Sequence, residues 1–335
     1  MSAPRRRSRR LASAATAAPS TDTPPPARLL DLPRELLERA LSRCDPADIA
    51  RVAAGIRLWA QERGFELPAQ PEGEGCAVRW LYCSALLRES NAPARVSAGE
   101  RHSVFIDGEG RLSSCGSAAR EGEEEEDDDD EEFPGLLGHG EGVTQLNTPT
   151  RLPSMLGDER AVSVATRAYH SLALTADGSV WSWGGGLFGQ LGHGDEQDQL
   201  LPKKIETFAG RRVVAVSAGW MHSLAITADG AVWSWGWGGY GKLGQRDRHA
   251  QLLPMKVEAF TGRRVVTVSA GARHSLATTA DGAAWSWGAG GNGRLGHGDR
   301  QRQLLPKKVE AFAGRRVVAV AAGGIHSLAI TADGA

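Results

Sequence analysis

Residues 222–244 read HSLAITADGAVWSWGWGGYGKLG. Two alternating segments flank Asp229-Gly230, and Asp-Gly between alternating segments is a strong short-range hairpin signal, since both central residues of a type I′ turn need positive φ. Trp233 and Trp235 stand two apart after the turn. A strand repeats every two residues, so both indoles fall on one face and Ser234 on the other. Burying one Trp removes about 150–250 Å² from water, roughly 4–6 kcal/mol at ~25 cal/mol/Å² before entropy is subtracted.

Outward from this stretch the chain repeats itself. His170, His222, His274 and His326 stand 52 residues apart, each followed by Ser-Leu-Ala, and a fifth copy sits at His102-Ser103. An alternating segment such as RRVVAVSAG precedes the His, and Asp-Gly recurs at 107–108, 177–178, 229–230, 281–282 and 333–334. The indoles Trp181, Trp183, Trp233, Trp235, Trp285 and Trp287 are expected in the core. A unit of three or four short strands cannot cover both its faces alone, whereas radial packing of such units does so and leaves only short edges. The expected fold is an all-β propeller of 52-residue units, four complete and a fifth in part.

The run from His to Gly quoted above, with the following LLPKKVEAFAGRRVVAV, resembles the repeat of the regulator of chromosome condensation family over residues 93 to 335. That resemblance implies a seven-bladed ring, of which this chain would be a fragment; an open arc would otherwise expose unpaired strand edges. The first copy is degenerate but in register, with Gly116 fourteen residues after His102 as Gly184 is after His170. Cys115 replaces its second Trp, and an insertion at 117–132 carries EGEEEEDDDDEE from Glu121 to Glu132. The net charge of −1 conceals those eleven acids, so the remainder sums to +10. The insertion reads as a solvated loop or as a dock for a basic chromatin protein such as a histone.

Ahead of the repeats lie two segments of different texture. Residues 1–28 hold Arg5, Arg6, Arg7, Arg9 and Arg10 in a stretch too poor in apolar residues to order itself. A basic arm of this kind suits nuclear import, weak contact with nucleic acid, or an organelle transit peptide. Residues 29–92 open with two helical start signals, Asp31 before Pro33 and Asp45 before Pro46, each followed by apolar residues at helical spacing. The stretch LPRELLERALSRCDPADIARVAAGIRLW resembles the start of an F-box, which implies docking on the adaptor of a cullin-type ubiquitin ligase through Leu32, Pro33, Leu36, Leu37, Ile49 and Trp59. The alternative is a helical cap on the propeller.

Composition narrows the function classes. No apolar run approaches the ~20 residues of a spanning helix, so no membrane partner is expected. Cys44, Cys76, Cys83 and Cys115 match no standard zinc spacing and read as reduced thiols of a nuclear or cytoplasmic protein. Gly184-x-Gly186-x-x-Gly189 has the letters of a dinucleotide fingerprint, but it recurs at Gly236 and Gly288 and precedes Leu-Gly rather than a helix, so it reads as a turn requirement. The His-Ser pairs, with Asp195, Asp247 and Asp299, have the letters of a hydrolase triad, yet a repeated constellation argues for a structural role. His139, His193 and His297 stand in repeated Gly-His-Gly loops, with Gln245 in the other copy, and imply no metal cluster. No catalytic residue, cofactor or metal is expected.

Positions at which near-identical units differ are free of the shared scaffold. They include Tyr169, Phe188, Trp220, Trp237, Tyr240 and Arg273, whose sister copies are often Ala, Gly or Asn. Trp, Tyr and Arg dominate interface energetics, so these six are the expected partner contacts, the alternative being that they fill gaps between units. The expected function is a non-catalytic interaction scaffold, the substrate receptor of a ubiquitin ligase if the F-box resemblance holds. The family resemblance also allows nucleotide exchange on a Ran-like GTPase, or chromatin association.

Overall fold

The computed structural model describes residues 95–118, 134–153 and 159–332. The basic arm with Arg5 to Arg10, the F-box-like segment with Leu32, Pro33, Leu36, Leu37, Ile49 and Trp59, and the acidic run 121–132 lie outside the described residues.

Four antiparallel sheets of four strands follow one another, each ordered as in sequence. The first holds β1 (Val96–Ala98), β2 (His102–Ile106), β3 (Leu112–Ser117) and β4 (Gln145–Arg151). The second holds β5 (Ala161–Thr166), β6 (His170–Thr175), β7 (Val180–Gly184) and β8 (Gln199–Lys204). The third holds β9 (Val213–Ala218), β10 (His222–Thr227), β11 (Val232–Gly236) and β12 (Gln251–Lys256). The fourth holds β13 (Val265–Ala270), β14 (His274–Thr279), β15 (Ala284–Gly288) and β16 (Gln303–Lys308), and β17 (Val317–Ala322) pairs with β18 (Ser327–Thr331) in a fifth unit. The first strands of successive units lie against one another around the axis, as the propeller reading requires.

The core lies between units rather than within them. Trp183, Trp235 and Trp287 are fully buried, while Trp181, Trp233 and Trp285 are half-buried. Phe208, on a single 3-10 turn after β8, meets both Trp233 and Trp235 of the next unit edge-on, at 5.7 and 5.8 Å, so the two indoles do share a face. Phe260 repeats this on Trp285 and Trp287. The outer indole is the less covered one because it closes the rim of the core, where Arg211 and Arg263 lie over Trp233 and Trp285 at 5.3 and 5.2 Å. Alternation gave the face of all six indoles but not their depth.

The hairpin turns fall near the expected places with a different geometry. Only the glycine takes positive φ, 90° at Gly178 and 84° at Gly230 and Gly282, and the Asp does not. The turn spans three residues, a geometry whose last position is left-handed, and not the two of type I′. Asp177 Oδ1 accepts from the Thr175 hydroxyl at 2.6 Å and from Ser179 N at 2.9 Å, which fixes the loop. In the first unit the glycine with this role is Gly110, at φ 83°, rather than Gly108.

Four of the five repeated histidines are staples to the next unit. Nε2 of His102, His170, His222 and His274 lies 2.7, 2.7, 2.9 and 2.8 Å from Oγ of Ser171, Ser223, Ser275 and Ser327. Ser223, Ser275 and Ser327 donate onward to the carbonyls of Gln190, Lys242 and Arg294. Their hydroxyl protons being spent there, His170, His222 and His274 must donate from Nε2 and are neutral. Burial pushes His170 and His274 down to about 3 and His222 well below its usual value. The triad reading has no support: Asp195, Asp247 and Asp299 accept backbone N–H groups two residues on in their own loops.

Candidate partner-binding site

Every third strand runs into a glycine loop, and the loop after β11 carries the bulk. Gly236 adopts φ 98°, and a Cβ there would meet the Met221 carbonyl at 2.5 Å, so only glycine lets the chain turn out of the sheet. Trp237 N donates to that carbonyl at 2.7 Å, which fixes the backbone from which the indole springs. The indole lies flat over Gly239, where a side chain would collide with its six-membered ring. Tyr240 follows at φ 65°, a left-handed conformation that costs a non-glycine residue roughly 1–2 kcal/mol. Its sister Asn292 adopts φ 60° with a residue type suited to it.

These side chains converge with groups from two neighbouring units. Phe188, from the loop after β7, approaches Trp237 to 6.1 Å, and Tyr240 meets Trp237 edge-to-face at 5.8 Å. Arg273, exposed just ahead of β14, places its guanidinium 5.5 Å from the centre of the Tyr240 ring. Four of the six expected contact residues thus form one cluster. Trp220 is elsewhere, its Nε1 donating to Glu100 of the first unit. Half-buried Tyr169 contributes its carbonyl to Gly185 N at 2.7 Å.

Beneath the cluster sits Lys242, at 0% exposure, with Nζ 4.3 Å from the centre of the Trp237 ring and 3.4 Å from the Ala272 carbonyl. Burial, reinforced by Arg273, pushes its ammonium down to about 7. The sister positions are Gln190, whose amide oxygen accepts from Phe188 N, and Arg294, which donates to the carbonyls of Gly291 and Gly324. Sequence reading passed over Lys242, although the change from Gln to Lys to Arg at one position of near-identical units was the available signal. It also passed over Arg167, which stands where other units have glycine and donates to the Ala322 carbonyl at 3.2 Å.

Among the described residues no group of three or more His, Cys, Asp or Glu side chains could hold a metal, and no helix is long and apolar enough to cross a membrane. The Gly-His-Gly histidines are structural: His193 Nε2 lies 2.9 Å from Ser182 Oγ, and Gln245 Nε2 donates to the matching Ser234.

Comparison with known proteins agrees with this architecture. The chain is 39% identical over 241 residues to the human E3 ubiquitin-protein ligase HERC2, covering 71% of this chain and 5% of that protein. It is 40% identical over 200 residues to the ultraviolet-B receptor UVR8 of Arabidopsis thaliana, covering 60% of this chain and 45% of the receptor. The chain therefore spans less than half the length of either relative. Human WBSCR16 superposes with a TM-score of 0.60 at 26% identity, over 70% of this chain and 57% of its own. Yeast RCC1 (Prp20), solved bound to Kap60, gives 0.60 at 23% identity over 71% of this chain and 54% of its own, a likeness of fold. The RCC1-like domain model matches residues 82–334, and with the repeated sheets, the His staples and the indole pairs in place, the chain belongs to the RCC1-like β-propeller family.

Proposed function

We propose that the chain recognises a partner protein through the loop end of the propeller and works as the substrate-selecting part of a ubiquitin-ligase assembly. The observation that carries this reading is the convergence of Phe188, Trp237, Tyr240 and Arg273 from three consecutive units, with Trp237 standing where sister copies have Gly185 and Ala289, and Phe188 and Tyr240 where the next copy has Asn292. Aromatic and Arg side chains gathered at one patch are the usual anchors of an interface. The ligase part rests on the similarity to HERC2, an E3 ubiquitin-protein ligase, and on the F-box-like residues Leu32, Pro33, Leu36, Leu37, Ile49 and Trp59.

Affinity capture with the tagged full chain tests both parts. Trp237→Ala with Tyr240→Asn copies the sister residues Ala289 and Asn292, so the fold tolerates it; it should reduce recovery of the selected protein by at least about tenfold, the size of a hot-spot loss. Leu36→Asp with Leu37→Asp should instead abolish recovery of the ligase adaptor and leave the selected protein bound. Undiminished capture by the aromatic variant would overturn the site, and no adaptor with the parent chain would remove the ligase role. Nucleotide release from a Ran-like GTPase should match buffer; acceleration would favour exchange activity instead.

A further inference from the structure

The aromatic cluster covers an uncompensated positive charge. Lys242 and Arg294 are buried, Arg273 is exposed between them, and each of the two buried cations feels Arg273 as a like charge. Among the described residues none of the three has a carboxylate within ion-pair distance. Lys242 is the extreme case: of its three N–H donors one reaches a carbonyl, at the long distance of 3.4 Å, and the ring of Trp237 supplies the remaining stabilisation. A buried cation without a counter-ion is costly to keep. The sister Gln190 shows that the scaffold is satisfied by a neutral residue here. Glu100, an exposed acid, is engaged by the Trp220 indole instead.

We propose that this end of the propeller is an anion site that takes an acidic segment of the partner protein, with Arg273 contacting the carboxylate and Lys242 and Arg294 positioning it through their charge from beneath. The proposal rests on the interaction reading above and gives the partner its chemistry. An acidic peptide is favoured over a nucleic-acid strand because the ring faces are occupied. Trp237 has Lys242 on its ring and Gly239 against it, and Tyr240 has Arg273 on its ring, which leaves little open π surface for stacked bases.

The probe is a fluorescein-labelled twelve-residue peptide alternating Asp and Leu, with its Asn-for-Asp counterpart, titrated into the full chain and followed by anisotropy. The acidic peptide should bind at least about tenfold more tightly than the Asn peptide, with affinity falling as salt rises. Arg273→Met copies the sister Met221, lies on the surface and should weaken the acidic peptide about tenfold or more, the loss of one charge-assisted contact. Lys242→Gln should weaken it by several-fold, while Lys242→Arg, which keeps the charge as Arg294 does, should restore it; a purely structural role for Lys242 would not separate the two. Equal binding of the Asp and Asn peptides, no binding of either, or tighter binding of a twelve-nucleotide oligothymidine that Arg273→Met also abolishes would each overturn the proposal. If Trp237→Ala with Tyr240→Asn loses the captured protein while Arg273→Met and Lys242→Gln keep it, the anion site fails and the interaction surface stands.

Discussion

At the scale of single residues, the neutral buried imidazoles of the second, third and fourth units carry a pH dependence of known sign. His170 and His274 are held near 3 by burial and His222 well below its ordinary value, whereas in the unfolded chain all three return to about 6.5. Between those limits the unfolded chain binds more protons than the folded one, so stability is fully present above ~6.5 and is lost as the pH falls toward ~3. At pH 5 the loss is roughly 1–2 kcal/mol per imidazole, and urea midpoints measured at pH 7 and pH 5 should fall accordingly. Equal midpoints would mean that these histidines are not buried neutral. Lys242, also a base with a depressed value, works in a higher window, its burden easing as the pH rises from about 7 toward the unfolded value. Ser275→Ala asks the complementary question about the staple. It strands the Nε2–H of the fully buried His222 and should cost about 1–3 kcal/mol by denaturant titration, against near-neutrality if the bond contributed nothing.

At the scale of elements, the turns after β8 and β12 are where one unit grips the next. Phe260 reaches from its 3-10 turn onto both indoles of β15, with centroids 5.6 and 5.7 Å away, so Phe260→Ala should cost about 3–5 kcal/mol, the range for deleting a buried aromatic. A loss below about 1 kcal/mol in chemical denaturation would place the core within sheets instead of between them. Gln245→His provides the contrast, since it copies the residue at 193 and 297, where the imidazole makes the same hydrogen bond to a serine; it should stay within about 0.5 kcal/mol. The repeat, the strands flanking each Asp-Gly and the pairing of indoles were legible in the sequence because each depends on a period of two or on the 52-residue step, whereas the hairpin register was not, since the turn takes three residues and not two. The rest that was not legible depends on contacts far apart in sequence. Trp181 and Trp183 look alike in a two-residue alternation, and only the neighbouring unit decides which is buried to 0% exposure. Lys242 reads as a solvated residue of a glycine loop until the sheet beyond it folds over. Phe188, Trp237, Tyr240 and Arg273 were found as substitutions between copies, yet the same comparison also gave Trp220, because variation reports freedom from the scaffold and not direction.

At the scale of the whole molecule, tandem units joined only to their neighbours would loosen independently, since stability in such arrays is close to a sum of unit and nearest-neighbour terms. Among the described residues two side chains break that rule. Trp220 of the third unit donates to Glu100 of the first, and Arg167 of the second donates to the Ala322 carbonyl of the fifth. Both lie just ahead of the repeated His, where the chain passes the axis, and a long side chain there can span units that share no sheet contact. Arg167 also occupies a glycine position of the other copies, so Arg167→Gly restores the common loop while cutting the tie. If the tie couples distant units, amides of β17 should exchange about tenfold faster in Arg167→Gly, a loss of about 1.4 kcal/mol of local protection, while those of the adjacent second unit change little. Acceleration confined to β5 and β6 would mean that the substitution merely relaxes its own loop, and the units would then be coupled through neighbours alone.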